Sequence, residues 1–159
     1  VEVPFDRLQD PEAIANWPLT LSRDGARTPM SWAGDRPQLG FSDVEPWLPT
    51  GPDHAALAVD RQDQDQQSLL NLTRRLIHLR HAHEALMWGD LRVIEATDTL
   101  LVVERTGHHE SLLCAFNLSS IPAEWAPAQP GRWRVVEAVN AAADWRFPPY
   151  GAIVAERIA

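Results

Sequence analysis

The most chemically loaded stretch of the chain is Ser22-Arg23-Asp24-Gly25-Ala26-Arg27-Thr28-Pro29-Met30-Ser31-Trp32. It places two guanidiniums around one carboxylate on a segment rich in turn formers. A guanidinium fork can hold a carboxylate along one edge and still donate to a neighbouring hydroxyl. Arg27 is therefore a candidate binding residue, and the competing reading is an arginine that braces its own loop through backbone carbonyls. Arg23 and Asp24 read as supports behind Arg27. For Asp24 a local turn, in which the carboxylate caps its own backbone, is the favoured alternative.

Other constellations carry less. His78, His81 and His83 are spaced three and two apart, which does not set all of them on one helix face, and no acidic or cysteine ligand accompanies them. No metal is expected there. His83 falls on an apolar stripe and reads as a packing residue, while His108-His109 reads as a solvated hairpin tip. Trp133 and Trp145 sit among strand residues and are expected in the core. Trp88 follows a helix and is expected to wedge between helix and sheet. Cys114 alternates with Leu112, Phe116 and Leu118, as a small buried hydrophobe would. Asn71-Leu72-Thr73 and Asn117-Leu118-Ser119 match a glycosylation pattern by chance on this reading.

The elements that must hold these residues fall into three segments. Residues 1–62 are irregular, with most of the 13 prolines between Pro4 and Pro52. One short helix is predicted at 10–17, with Asp10 as N-cap, Pro11 in the first turn and Pro18 ending it. A helix is predicted over 63–87, because Leu69, Leu72, Leu76, Leu79, His83 and Leu86 recur at alternating spacings of three and four. Gly89 is its expected stop. Residues 90–159 predict strands at 91–96, 99–104, 111–117, 133–139 and 152–157, packed as a small antiparallel sandwich or rolled sheet. The fold class is thus α+β.

Composition bounds what such a chain can do. Its 159 residues are 45% apolar and 23% charged, enough for a core. They are too few for a complete (β/α)₈ barrel, which needs roughly 200 or more. The net charge of −8 argues against nucleic acid and anionic membranes as partners. All 14 basic residues are arginine. One cysteine allows no internal disulfide, which fits a reducing compartment and a cytoplasmic location. The chain opens Val-Glu-Val without Met, so a signal peptide or a preceding domain is an open expectation.

The Arg23–Trp32 stretch resembles the Arg-Asp-x-x-Arg-Thr-Pro-Met-x-Trp signature of the α-glucosidase group in glycoside hydrolase family 13, the α-amylase family. The resemblance continues through Leu8-Gln9-Asp10-Pro11-Glu12 with Trp17, Gly40-Phe41-Ser42, Pro46-Trp47-Leu48-Pro49 and Ala58-Val59-Asp60-Arg61-Gln62. Leu79-Arg80-His81-Ala82-His83-Glu84-Ala85-Leu86 looks like the end of the last barrel helix, with Glu84 where the family usually has proline. Beyond about residue 90 only the general idea of a C-terminal β-domain carries over.

The resemblance implies a (β/α)₈ barrel parent. Residues 1–62 would be the loop after its eighth strand, 63–89 its last helix, and 90–159 an antiparallel C-terminal domain. It also implies a retaining, exo-acting α-glucosidase that takes an α-glucoside and needs no cofactor. A trehalose synthase or sucrose-acting relative is the alternative within that class, and a non-catalytic sugar-binding or scaffolding β-module the alternative outside it. A retaining glycosidase needs two carboxyl groups about 5 Å apart. Asp24, Asp35 and Asp43 have no partner acid in a matching context, so no catalytic residue is assigned and the isolated chain is expected to be inactive. The resembling enzymes use the arginine at the position of Arg27, paired with an acid from an early barrel loop, to close the glucose pocket. The expected partners are the α-glucoside, the remaining catalytic barrel, and a second copy of the chain, which would cover the leucine stripe in the barrel's absence.

Overall fold

A computed structural model describes residues 2–19 and 22–158. The chain forms two compact units, residues 1–75 and 76–159, with the division inside one helix.

The first unit is mostly turn and loop. Its first helix, α1 (Pro11–Asn16), starts as its sequence requires: Asp10 is extended and accepts from Glu12 N, and Pro11 occupies the first turn. A short 3-10 turn spans Arg23–Ala26 and is capped by Ser22, whose hydroxyl accepts from Asp24 N. A small core of Val3, Leu8, Ala13 and Leu48 lies beneath these loops. Arg7 ties the loops together by donating from Nε to Trp47 O at 3.1 Å and from Nη1 to Glu45 at 3.2 Å.

The helix expected over 63–87 is three helices. α2 (Val59–Gln64) ends at Asp65, which is extended. Asp65 then accepts from Gln67 N through its own carboxylate, a local bond that competes with helix continuation. α3 (Leu69–Ala82) begins only after Ser68, whose hydroxyl accepts from Asn71 N. The break before α4 (Glu84–Met87) falls at His83, with φ −121° and ψ 110°. That is the conformation a following proline imposes, here adopted with Glu84 in its place. His83 is stabilised there by Glu110: one carboxylate oxygen meets His83 Nδ1 at 2.7 Å, and the other accepts from Ala85 N at 2.9 Å. His83 is therefore a joint between helices rather than a member of the stripe.

No residue of α3 is buried. Leu69 is 72% exposed, and Trp88, expected to wedge between helix and sheet, is 85% exposed. α4 instead anchors through Ala85, which is fully buried, against the strands. At Gly89 a Cβ would come within 2.6 Å of Thr106 O, so the chain passes too close to the sheet for any side chain.

The second unit is a five-stranded antiparallel sheet in the order β1-β2-β3-β7-β5, from β1 (Asp90–Ala96), β2 (Leu100–Thr106), β3 (Ser111–Asn117), β5 (Trp133–Val139) and β7 (Ala152–Arg157). A two-stranded ribbon, β4 (Ala123–Glu124) with β6 (Arg146–Phe147), was not legible in the sequence. Strands of two residues have no alternation to read. The expected sandwich is thus one sheet and a short ribbon. Leu100, Val102, Leu113, Ala115, Ile153 and Ala155 pack with Trp145 and Phe147 as the core. Trp133 is partly buried against it.

Asn117 closes this unit. Its buried amide donates to the carbonyls of Ile121, Phe147 and Pro148, and its oxygen accepts from Ser119 N and Oγ. Asn71 likewise spends its amide on Gln62 O and Asp65 O. Both side chains of the glycosylation-like triplets are thus consumed by backbone contacts. Cys114 is buried, and burial pushes its thiol up to about 11. A disulfide reagent such as DTNB is expected to react with Cys114 only as fast as the strand opens. Labelling should accelerate sharply across the denaturant range that unfolds the sheet.

Candidate functional site

The signature loop is held by two buried carboxylates that clasp it reciprocally. Asp10, on the loop before α1, accepts from Arg23 N at 2.9 Å, from Arg23 Nε at 3.0 Å and from Arg23 Nη2 at 2.7 Å. Asp24, on the 3-10 turn, sends Oδ2 back the other way and accepts from Gln9 N at 2.7 Å and Asp10 N at 2.9 Å. Each aspartate is fully buried. Buried charges survive only when paired or met by donors: Asp10 is paired with Arg23, and Asp24 Oδ2 is met by two backbone N–H groups.

Asp24 is therefore no cap for its own backbone. That role belongs to Ser22, and the favoured turn reading of Asp24 is corrected: its carboxylate bridges 14 and 15 residues of sequence. The signal that could have found this is Ser22 itself, a better cap at the start of a tight turn than an aspartate inside it. Asp10 was legible as an N-cap, but its hold on Arg23 was not.

The guanidinium of Arg23 beside Asp10 holds that carboxyl well below the usual carboxylate range, its hydrogen bonds being the largest cause. A carboxyl lowered on folding from an ordinary value of 3.8 stabilises the protein fully above that pH and loses its contribution as the pH falls. Acid titration followed by circular dichroism is expected to show the first unit weakening below about pH 4. Asp10→Asn should be less stable at neutral pH and show a flatter acid limb.

Arg27 differs from its neighbours. Its Nη1 lies 3.6 Å from Asp24 Oδ1, and its side chain is 49% exposed. That oxygen of Asp24 has no hydrogen bond. Among the described residues Arg27 donates no side-chain hydrogen bond, so the bracing of the loop falls to Asp10, Arg23 and Asp24.

The end of the signature is fixed separately. Val59 N donates to Ser31 O and Asp60 N to Trp32 O, tying the loop to the start of α2. Both carboxylate oxygens of Asp60 accept from Gly34 N. Gly34 has no room for a Cβ, which would lie 2.7 Å from Ala55 O. Gln38, Leu39 and Gly40 all have positive φ, and Leu39 O accepts from both Trp32 N and Ala33 N. Asp35 pairs with exposed Arg61 at 2.7 Å, so it is a surface ion-pair member. The described residues hold no group of three His, Cys, Asp or Glu suited to a metal. No helix of the described residues is long and apolar enough to cross a membrane.

A buried clasp presenting one half-exposed guanidinium suits a loop at the rim of a binding site. Comparison with known proteins gives the class. Residues 2–89 match the family model described as the α-amylase catalytic domain, and the chain belongs to that family.

It is 40% identical over 118 residues to a probable alpha-glucosidase of Rhizobium meliloti (strain 1021), covering 74% of this chain and 21% of that protein. It is 35% identical over 116 residues to a probable oligo-1,6-glucosidase of Bacillus subtilis (strain 168), covering 72% of this chain and 20% of that one. Among solved structures, an alpha-glucosyl transfer enzyme, XgtA, superposes with a TM-score of 0.83 at 34% identity, covering 99% of this chain and 30% of that one. The chain thus spans about a fifth of the curated relatives it matches.

Proposed function

We propose that this chain is the C-terminal portion of a retaining, exo-acting α-glucosidase built on a (β/α)₈ barrel. It supplies the loop after the last barrel strand, the last barrel helix and the β-domain. The observation that carries this reading is the clasped signature loop, with its Arg27 head left half free, inside the segment that matches a catalytic domain. In the proposed enzyme Arg27 pairs with an acid from elsewhere in the barrel and closes the pocket around a terminal glucose. The nucleophile and the acid/base carboxylate lie outside this chain. Asp10 and Asp24 do not serve, because three of their four oxygens are taken by donors from the loop and the fourth faces Arg27. The open face of α3 is the surface that meets the rest of the barrel, and self-association would cover it in the barrel's absence.

The isolated 159-residue chain is expected to show no turnover of p-nitrophenyl α-glucoside or maltose. The same chain joined to the preceding barrel should hydrolyse both. Turnover by the homogeneous chain, abolished by changing one of its own acids, would sink this assignment.

A second reading rests on the transfer enzyme that superposes along nearly the whole chain. There the parent moves glucosyl groups to sugar acceptors rather than to water. Product analysis of the full enzyme on maltose separates the two: free glucose alone supports hydrolysis, and longer or isomeric saccharides support transfer. Millimolar binding of maltose by the isolated chain would favour the third reading, a non-catalytic sugar-binding module.

A further inference from the structure

The inward face of the sheet changes character at one end. Along β2 the inward residues run Leu100, Val102 and then Glu104, and along β7 they run Ile153, Ala155 and then Arg157. Register sets Arg92 of β1 directly opposite Glu104. Glu104 is 9% exposed, and one of its oxygens accepts from both Nε and Nη2 of Arg92, at 3.2 and 2.5 Å. Glu104 is the buried member of the pair, while the Arg92 side chain is 72% exposed, so its guanidinium reaches in from solvent to meet the carboxylate.

A cavity of about 290 Å³ opens there. Trp125 and Trp133 line it, and Glu104, Arg92, Arg132 and Arg157 are among its other walls. Trp125 is held edge-on to Trp145, with ring centroids 5.9 Å apart, so its position is set by the core. Arg132 and Arg157 are exposed, and neither forms an ion pair with any described residue. Arg92 and Glu104 offset each other, so these two guanidiniums leave the cavity positive in a chain of net charge −8. A positive concavity on an acidic protein concentrates anions.

We propose that this cavity binds a small organic monophosphate, one phosphate carried on a single sugar or nucleoside. The guanidiniums of Arg132 and Arg157 fork onto phosphate oxygens. The indoles of Trp125 and Trp133 meet the flat face of the ring. The Arg92–Glu104 pair offers donors and an acceptor to ring hydroxyl or amine groups. The volume stands just below the roughly 300–1,000 Å³ of small-molecule sites, which suits a sugar monophosphate or a nucleoside monophosphate and excludes a dinucleotide or a long oligosaccharide. The site lies wholly in the second unit and does not depend on the reading of Arg27.

The test is calorimetric titration of the chain at low salt with four probes: glucose 6-phosphate, AMP, glucose and inorganic phosphate. Glucose 6-phosphate or AMP is expected to bind at least about tenfold tighter than both glucose and inorganic phosphate. The one that binds identifies the occupant as a sugar phosphate or a nucleoside monophosphate. The double variant Arg132→Gln/Arg157→Gln should lose at least about tenfold in affinity with an unchanged thermal melt, since both side chains are exposed and unpaired. Arg134→Gln, which loses an outer-face pair with Glu156, should bind as the parent does. Four results would overturn the proposal: glucose binding as well as its phosphate, inorganic phosphate binding as well as either ringed probe, no binding by about 10 mM, or full affinity in the double variant.

Discussion

Arg27→Lys in the full-length enzyme is expected to lower kcat/KM on maltose at least about tenfold, or 1.4 kcal/mol, while the thermal melt barely moves. Lysine keeps the charge but cannot grip a carboxylate along one edge and donate to a hydroxyl along the other. Truncating a buried charge pair costs about 2–5 kcal/mol, and a lysine that keeps part of the pair falls toward the low end. The structure supplies the reason for the unchanged melt. Arg27 donates no side-chain hydrogen bond among the described residues, and its nearest acid is at 3.6 Å. A loop-bracing arginine would behave in the opposite way, with lost stability and near-normal kinetics in the folded fraction. Wild-type kcat/KM in this variant would remove Arg27 from the site.

Asp24→Ala is expected to destabilise the first unit by about 3 kcal/mol. It strips the acceptor from two backbone donors, Gln9 N and Asp10 N, and each unsatisfied donor costs about 1–3 kcal/mol when buried. It also loosens the segment that presents Asp10 to Arg23, so Arg23 loses the geometry of its own pair. Denaturant unfolding followed by tryptophan fluorescence measures the loss, with Ser22→Ala as the smaller companion at about 1 kcal/mol for a lost cap. An Asp24→Ala protein with unchanged stability would contradict the clasp. In the full-length enzyme the same change should lower activity through the position of Arg27, since the turn that carries it is no longer tied to residues 9 and 10.

The two variants separate supports from contacts. Asp24 and Asp10 hold the loop, and their loss is read in stability. Arg27 makes little of the fold, and on the proposed pocket role its loss is expected in kinetics.

By itself the sequence determined the features written in local, periodic or motif form. The N-cap at Asp10 with Pro11 behind it is a short-range arrangement, and it stands as read. The five long strands alternate or run apolar over six or seven residues and were legible for that reason. Family membership was legible because the Arg23–Trp32 signature is a string of unlike residues at set spacing.

Tertiary structure decided most of the rest, because most of the deciding interactions join residues far apart in the chain. The helix read from one leucine stripe breaks at Asp65 and again at His83. Periodicity reports a face, whereas the breaks are made by a local bond, in which the Asp65 carboxylate accepts from Gln67 N, and by Glu110 reaching His83 from 27 residues away. The role of Asp24 turned on donors 14 and 15 residues upstream. Glu104 and Arg157 stand at the ends of two expected strands and belong to no motif. The pairing registers of β1 with β2 and of β5 with β7 turn them onto one cavity.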